Sequence, residues 1–210
     1  MRKSVRNLAV LGAAATVVAG VTAVATADTG SGRTSTTQRD TFGHTKVRSG
    51  IPAGATRFTV TSPDVRDGGA IPATSFANTF GCTGENQQLR LQWSGAPKNT
   101  RSFAVSMQDV DAPTGSGFWH WTTWDIPAGE KSLGRTLPAG AVTGTNDSGA
   151  SGYMGPCPPA GDITHRYKIT VYALDTPSLG LPTTSTPAVA AFTRSSHILG
   201  YGRITATARR

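Results

Sequence analysis

What most limits the folding of this chain is its punctuation. From Arg57 onward, short β-prone runs alternate with Gly- and Pro-rich clusters so closely that long helices have no room. Strands are predicted over Arg57–Ser62, Leu89–Trp93, Ser102–Asp109, Trp121–Ile126, Tyr167–Leu174 and Gly202–Ala208. Turn signals separate them at Asp67-Gly68-Gly69, Ser94-Gly95-Ala96-Pro97, Pro127-Ala128-Gly129 and Asn146-Asp147-Ser148-Gly149. A single helix is predicted, capped by Thr186, with Pro187 in its first turn and Val189, Ala190, Phe192, Ile198 and Leu199 on its apolar stripe. Short strands with so little helix between them argue for a mainly β domain with minor α and mainly antiparallel pairing rather than a doubly wound α/β sheet.

Met1 to Ala27 has the layout of an export signal. Arg2, Lys3 and Arg6 precede an uncharged run from Leu8 to Val24, which ends at Ala25-Thr26-Ala27. The run is rich in Ala, Gly, Thr and Val and falls short of the roughly 20 strongly apolar residues of a membrane span. Cleavage before Asp28 and secretion are therefore expected, without stable membrane insertion. Residues 28–55 are mostly Thr, Ser, Gly and Arg, with Phe42, Val47 and Ile51 as their large apolar side chains. Such a stretch cannot bury enough surface to offset its ordering entropy, so it is expected to be a disordered tether leading into a domain over 56–210.

Losing the leader takes the formal charge from +8 to +5, since three bases and no acid leave with it. The remaining bases, among them Arg57, Arg66, Arg90, Lys98 and Arg101, are scattered rather than clustered along a face. Nucleic acid is therefore not an expected partner. The two cysteines, Cys82 and Cys157, are an even pair in a chain bound for an oxidising compartment, which favours a disulfide. Two separate buried thiols and a catalytic cysteine are the alternatives.

The chemistry concentrates around Asp109-Val110-Asp111-Ala112-Pro113, which closes the run Ser102 to Met107. In an extended chain Asp109 and Asp111 point the same way and share one pocket wall. Pro113 then ends sheet pairing and hands the chain to a loop. The competing reading is an Asx-type turn, in which the aspartates only tie down backbone N–H groups. Downstream, Phe118-Trp119-His120-Trp121 and the segment Gly155-Pro156-Cys157-Pro158-Pro159-Ala160-Gly161-Asp162-Ile163-Thr164-His165-Arg166-Tyr167 each set a histidine beside rigid or aromatic residues.

These segments, in this order, resemble the phosphatidylethanolamine-binding protein family, also called Raf kinase inhibitor-like, in its bacterial branch. Cys82-Thr83-Gly84-Glu85-Asn86, Trp93-Ser94-Gly95, Tyr172-Ala173-Leu174-Asp175 and His197-Ile198-Leu199 extend the resemblance from about Phe58 to Ala208. It implies a large central antiparallel sheet, a smaller second sheet and one or two peripheral helices. It also implies that Asp109, Asp111, His120 and His165 converge on a pocket for an anion, beside a loop that contributes Gly155 and Pro158 and with Tyr167 closing or supporting it. Neither a metal nor a cofactor is expected, although two imidazoles and a carboxylate also suit iron or zinc. The chain departs from the family pattern at Val110, where relatives carry proline between the acids, at Gln87-Gln88, where a Ser-Pro pair is common, and at Met154 and Ser195-Ser196.

Two functions follow from such a pocket. One is a secreted binding module for an anionic or phosphate-bearing, zwitterionic head group, which also presents its rim to an extracellular protein such as a protease. The other is a hydrolase with Asp109 or Asp111 as base and His120 or His165 as acid. The chain has no Gly-x-Ser-x-Gly elbow, phosphate loop or His-Glu-x-x-His, and this lack of a nucleophile signature favours binding over catalysis. Arg166 and His197 are read as structural.

Overall fold

A computed structural model describes residues 49–210. The expected leader over 1–27 lies outside the described residues. So does the expected tether, apart from residues 49–55, where Ile51 and Ala55 pack against the domain.

The main sheet is built from β1 (Thr56–Arg57), β4 (Ser102–Asp109), β5 (Phe118–Pro127), β7 (Val142–Thr143), β8 (His165–Leu174) and β9 (Ile198–Ala208). Their order across the sheet is β1-β9-β8-β4-β5-β7. β1 joins β9 in parallel, while the remaining neighbours pair antiparallel, so the large sheet is mixed at its rim. A smaller antiparallel sheet consists of β2 (Thr59–Thr61), β3 (Leu91–Ser94) and β6 (Ser132–Leu133).

Layering explains the sequence of each strand. β4 and β8 lie inside the sheet with both faces covered, and this is why they read as near-continuous buried runs. β9, nearer the rim, buries every second residue from Ile198 to Ala208. One core lies between the sheets and contains Trp93, Phe103, Trp121, Tyr167 and Ile169. A second lies on the opposite face, where Trp124, Tyr172 and Leu174 meet Ala190 of α1 (Pro187–Ser195).

Thr186 caps α1 through its side chain, which accepts from the Val189 N–H, and Pro187 occupies the first turn as expected. The helix stops sooner than its apolar stripe suggests. Ser196 is the C-cap, and Ile198 and Leu199, expected on the helix, instead open β9. The alternating burial of the eleven β9 residues and their pairing with β8 outweigh a stripe continued by only two side chains. Among the described residues no helix is long and apolar enough to cross a membrane.

Candidate ligand-binding site

The central strand delivers the site. Asp109 is the last residue of β4, paired with Phe118 of β5 on one side and Tyr167 of β8 on the other. Because side chains alternate, His120 shares the face of Phe118, and His165 the face of Tyr167. The three strand ends thus bring Asp109, His120 and His165 to one place. The β4–β5 hairpin needs Gly117 to close: its φ is +75°, and a Cβ there would lie 2.4 Å from the Asp109 carbonyl oxygen.

Asp109 does two jobs. Its Oδ1 accepts the N–H groups of Asp111 (2.9 Å) and Ala112 (3.1 Å), the Asx turn that ends the strand. Its Oδ2 lies 2.7 Å from His165 Nδ1. The other nitrogen of that ring, Nε2, is 3.2 Å from Oδ2 of Asp162. Two ionised carboxylates can only accept, so this geometry favours a proton on both ring nitrogens, the imidazolium form of His165. Burial opposes this charge, since the side chain is only 1% exposed, but hydrogen bonds to Asp109 and Asp162 outweigh it and raise the His165 pKa above its ordinary value. The carboxylates sit on opposite sides of one ring and do not converge on a common point, and no metal-binding cluster forms among the described residues.

His120 is the opposite case. Its Nδ1 lies 2.9 Å from the Met154 carbonyl, which can only accept, so the proton is on Nδ1 and Nε2 keeps its lone pair. Burial drives its pKa down to about 4. His120 is therefore a neutral acceptor, because desolvation outweighs the nearby Asp109.

The facing wall is a loop fixed residue by residue. The Met154 N–H donates to the His120 carbonyl (2.8 Å) and the Gly155 N–H to Asn86 Oδ1 (2.7 Å), while the Pro156 carbonyl accepts from the Ala77 N–H (3.0 Å). Cys157 is bonded to Cys82, with Cα atoms 5.8 Å apart, across a sequence separation of 75. Asn86, at φ +53°, also donates through Nδ2 to the Tyr153 carbonyl (3.1 Å), so one side chain grips the loop at two points. Gly155 is required by contact: a Cβ would stand 2.1 Å from the Ser75 carbonyl oxygen.

These elements enclose a cavity of about 230 Å³, with Asp109, His120 and His165 as polar groups and Phe80, Phe118, Met154, Pro158 and Pro159 among its walls. Of the residues singled out from sequence, Asp109, His120, His165 and Pro158 line it, and Cys157 does too. Asp111 does not. The strand has already ended at Asp109, so the period of two no longer applies, and Asp111 turns outward to grip Arg166 through its backbone N–H, Nε and Nη2 (2.8, 2.9 and 2.6 Å). Gly155 and Tyr167 stand behind the wall. The Gly155 N–H is committed to Asn86, and the buried Tyr167 ring meets His120 edge-on at 5.3 Å. Arg166 lies outside the cavity, paired with Asp111, and the exposed His197 pairs with Asp175 at 2.8 Å. Asp162 and Phe80 were missed. Asp162 sat in view three residues before His165, but only the turn at its preceding residues bends it back onto the ring.

Comparison with known proteins decides the kinship. The profile of the phosphatidylethanolamine-binding protein family matches residues 61–209. The chain belongs to that family. UPF0098 protein YbcL of Escherichia coli is 40% identical over 161 residues, 73% of this chain and 88% of that protein. Its crystal structure, described as a new member of the mammalian PEBP family, matches with a TM-score of 0.71 at 39% identity, covering 73% of this chain and 98% of that one. LppC of Mycobacterium tuberculosis, whose name proposes a lipoprotein, is 37% identical over 166 residues, 78% of each chain. This phosphatidylethanolamine-binding protein relative carries its cavity at the ends of β4, β5 and β8 of the main sheet. At Val110 the chain bends within the Asx turn formed by the Asp109 side chain.

Proposed function

We propose that this family member is an exported binding protein whose cavity takes the phosphate of a small phosphorylated or zwitterionic head group. The carrying observation is His165, a buried imidazolium held by Asp109 from behind and by the half-exposed Asp162 from the open side. An incoming oxyanion exchanges for Asp162 on Nε2, a charge-assisted hydrogen bond in a poorly hydrated place. The neutral Nε2 of His120 accepts from a hydroxyl or ammonium at the other end of the ligand, and the apolar walls hold the short carbon chain between. Export is supported by the Arg-led, Ala-x-Ala-ended leader and by the name of the LppC relative.

Binding is favoured over hydrolysis because the two nucleophile candidates at the cavity are occupied. The Thr114 hydroxyl donates to the Gly117 carbonyl, and Cys157 is in the disulfide. The rim supports an additional protein contact: Phe80 at the mouth and Ile163 beside Asp162 are 70% and 62% exposed. Amide chemical-shift mapping with phosphoethanolamine, phosphate and ethanolamine tests the reading. Saturable shifts at Phe118, Met154 and His165 with the two phosphate compounds are expected. Shifts with ethanolamine alone, or none at these residues, would overturn it.

A further inference from the structure

The opposite face of the main sheet holds a second polar cleft, of about 260 Å³, that the cavity described above does not use. It is lined by Ser106, Gln108, Lys168, Thr170, Tyr172 and Arg203, with Trp119 at one side and Ser49 at the mouth. The strand register puts these side chains together: Arg203 pairs with Thr170, which pairs with Ser106, so one row crosses β9, β8 and β4. Arg203 Nε donates to Thr170 Oγ1 (2.8 Å), and Ser106 Oγ lies 3.2 Å from the Tyr172 hydroxyl.

Charge is unbalanced here. None of the described lining residues is Asp or Glu, while Lys168 and Arg203 are cationic. Behind the wall, Arg194 of α1 is 3% exposed, stacks on Tyr172 at 4.3 Å and lies 5.8 Å from the Trp119 ring centre, and donates Nη2 to the Tyr172 hydroxyl at 3.3 Å. No carboxylate pairs with it among the described residues. Asp147 accepts the Trp119 backbone N–H. Ring faces cover a guanidinium's flat sides but do not accept its in-plane N–H groups, so stacking satisfies Arg194 only in part. Burial alone would raise the Tyr172 hydroxyl, yet Arg194, Ser106 and Arg203 hold it below the ordinary tyrosine range, a sign of a strongly positive local potential.

We propose that this cleft is a second anion site, for the carboxylate or phosphate of a compact molecule, held by Lys168, Arg203 and the Tyr172 and Ser106 hydroxyls with Arg194 supplying charge through Tyr172. It is independent of the first cavity: it lies on the other face of the sheet and shares none of that cavity's residues.

Amide mapping on the His165→Gln protein isolates it, with inorganic phosphate and succinate as probes and sodium chloride at matched ionic strength as reference. Saturable shifts at Ser106, Lys168, Thr170 and Arg203 are expected, phosphate and succinate telling the two ligand types apart. Arg203→Gln and, separately, Lys168→Gln should each weaken binding about tenfold, the usual loss of one charge-assisted hydrogen bond, while leaving phosphate shifts at Phe118 and Met154 in the otherwise native protein unchanged. Two variants guard against misfolding of either. Shifts that follow ionic strength without saturating, or affinity unaltered in both variants, would overturn the proposal.

Discussion

His165 Nδ1 lies 2.7 Å from Asp109 Oδ2 with both side chains buried, and this pair joins the end of β4 to the start of β8. Because Asp162 takes the other ring nitrogen, the two carboxylates favour the charged form of the histidine in the folded protein, with thermodynamic consequences.

The first concerns alkaline stability. A histidine whose folded pKa is raised stabilises the fold fully below its unfolded value near 6.5 and loses that contribution as pH rises through the folded value. The melting temperature of the native protein should therefore fall between pH 6.5 and 9.5 more steeply than that of His165→Gln. Parallel profiles for the two proteins would show that the clamp carries no such charge.

His120 works the other way. With its folded pKa lowered to about 4, it costs nothing above pH 6.5, and acidification from there towards pH 4 destabilises the fold, by about 3 kcal/mol in full. Ring-proton titration by NMR should give a midpoint near 4 for His120 and one above 6.5 for His165. A His120 midpoint near 6.5 would contradict its assignment as a neutral acceptor.

The wall of the cavity should fail when its anchors are removed. Opening a cross-link with a sequence separation of 75 through Cys157→Ser is expected to cost about 4 kcal/mol on the chain-entropy estimate. Asn86→Ala leaves the Gly155 N–H and the Tyr153 carbonyl without their partner and should cost about 2–3 kcal/mol. Denaturant titration measures both, and hydrogen exchange at Gly155 should quicken in each variant. Unchanged exchange there would mean that the loop is held by something else.

Much of this was legible in the chain. Runs such as Ser102–Asp109 announce a buried strand by composition, and Thr186-Pro187 announces the helix start through a local capping rule. The two cysteines were readable as a pair from their even count and the export-like leader. What failed did so where a local pattern met a tertiary choice. The Asp109/Asp111 spacing places both acids on one wall only if the strand continues, and the Asx turn that stops it uses the Asp109 side chain itself. Ile198 and Leu199 fit a helix by spacing, but β8 offered them a ladder of hydrogen bonds. The neutrality of His120 depends on how completely Phe118, Tyr167 and the Met154 loop enclose it, which no spacing records.

That geometry separates two acids only two residues apart. Asp109→Asn removes the charge that supports the His165 imidazolium and should weaken ligand binding about tenfold or more. Asp111→Asn, which loosens only the outward Arg166 pair, should change affinity less than twofold. Calorimetry on both variants makes the comparison, and equal losses would return Asp111 to the pocket wall.

The central claim is that the His165 imidazolium grips a phosphate oxygen. Dimethyl phosphate keeps one negative charge throughout the relevant range, so any pH dependence of its binding comes from the protein. Calorimetric titration at pH 6 and pH 9.5, in protein carrying Arg203→Gln to weaken the second cleft, is expected to give about tenfold tighter binding at the lower pH, with the difference abolished when His165→Gln is added. Equal affinity at both pH values in the Arg203→Gln protein, or a pH dependence that survives the addition of His165→Gln, would contradict the account.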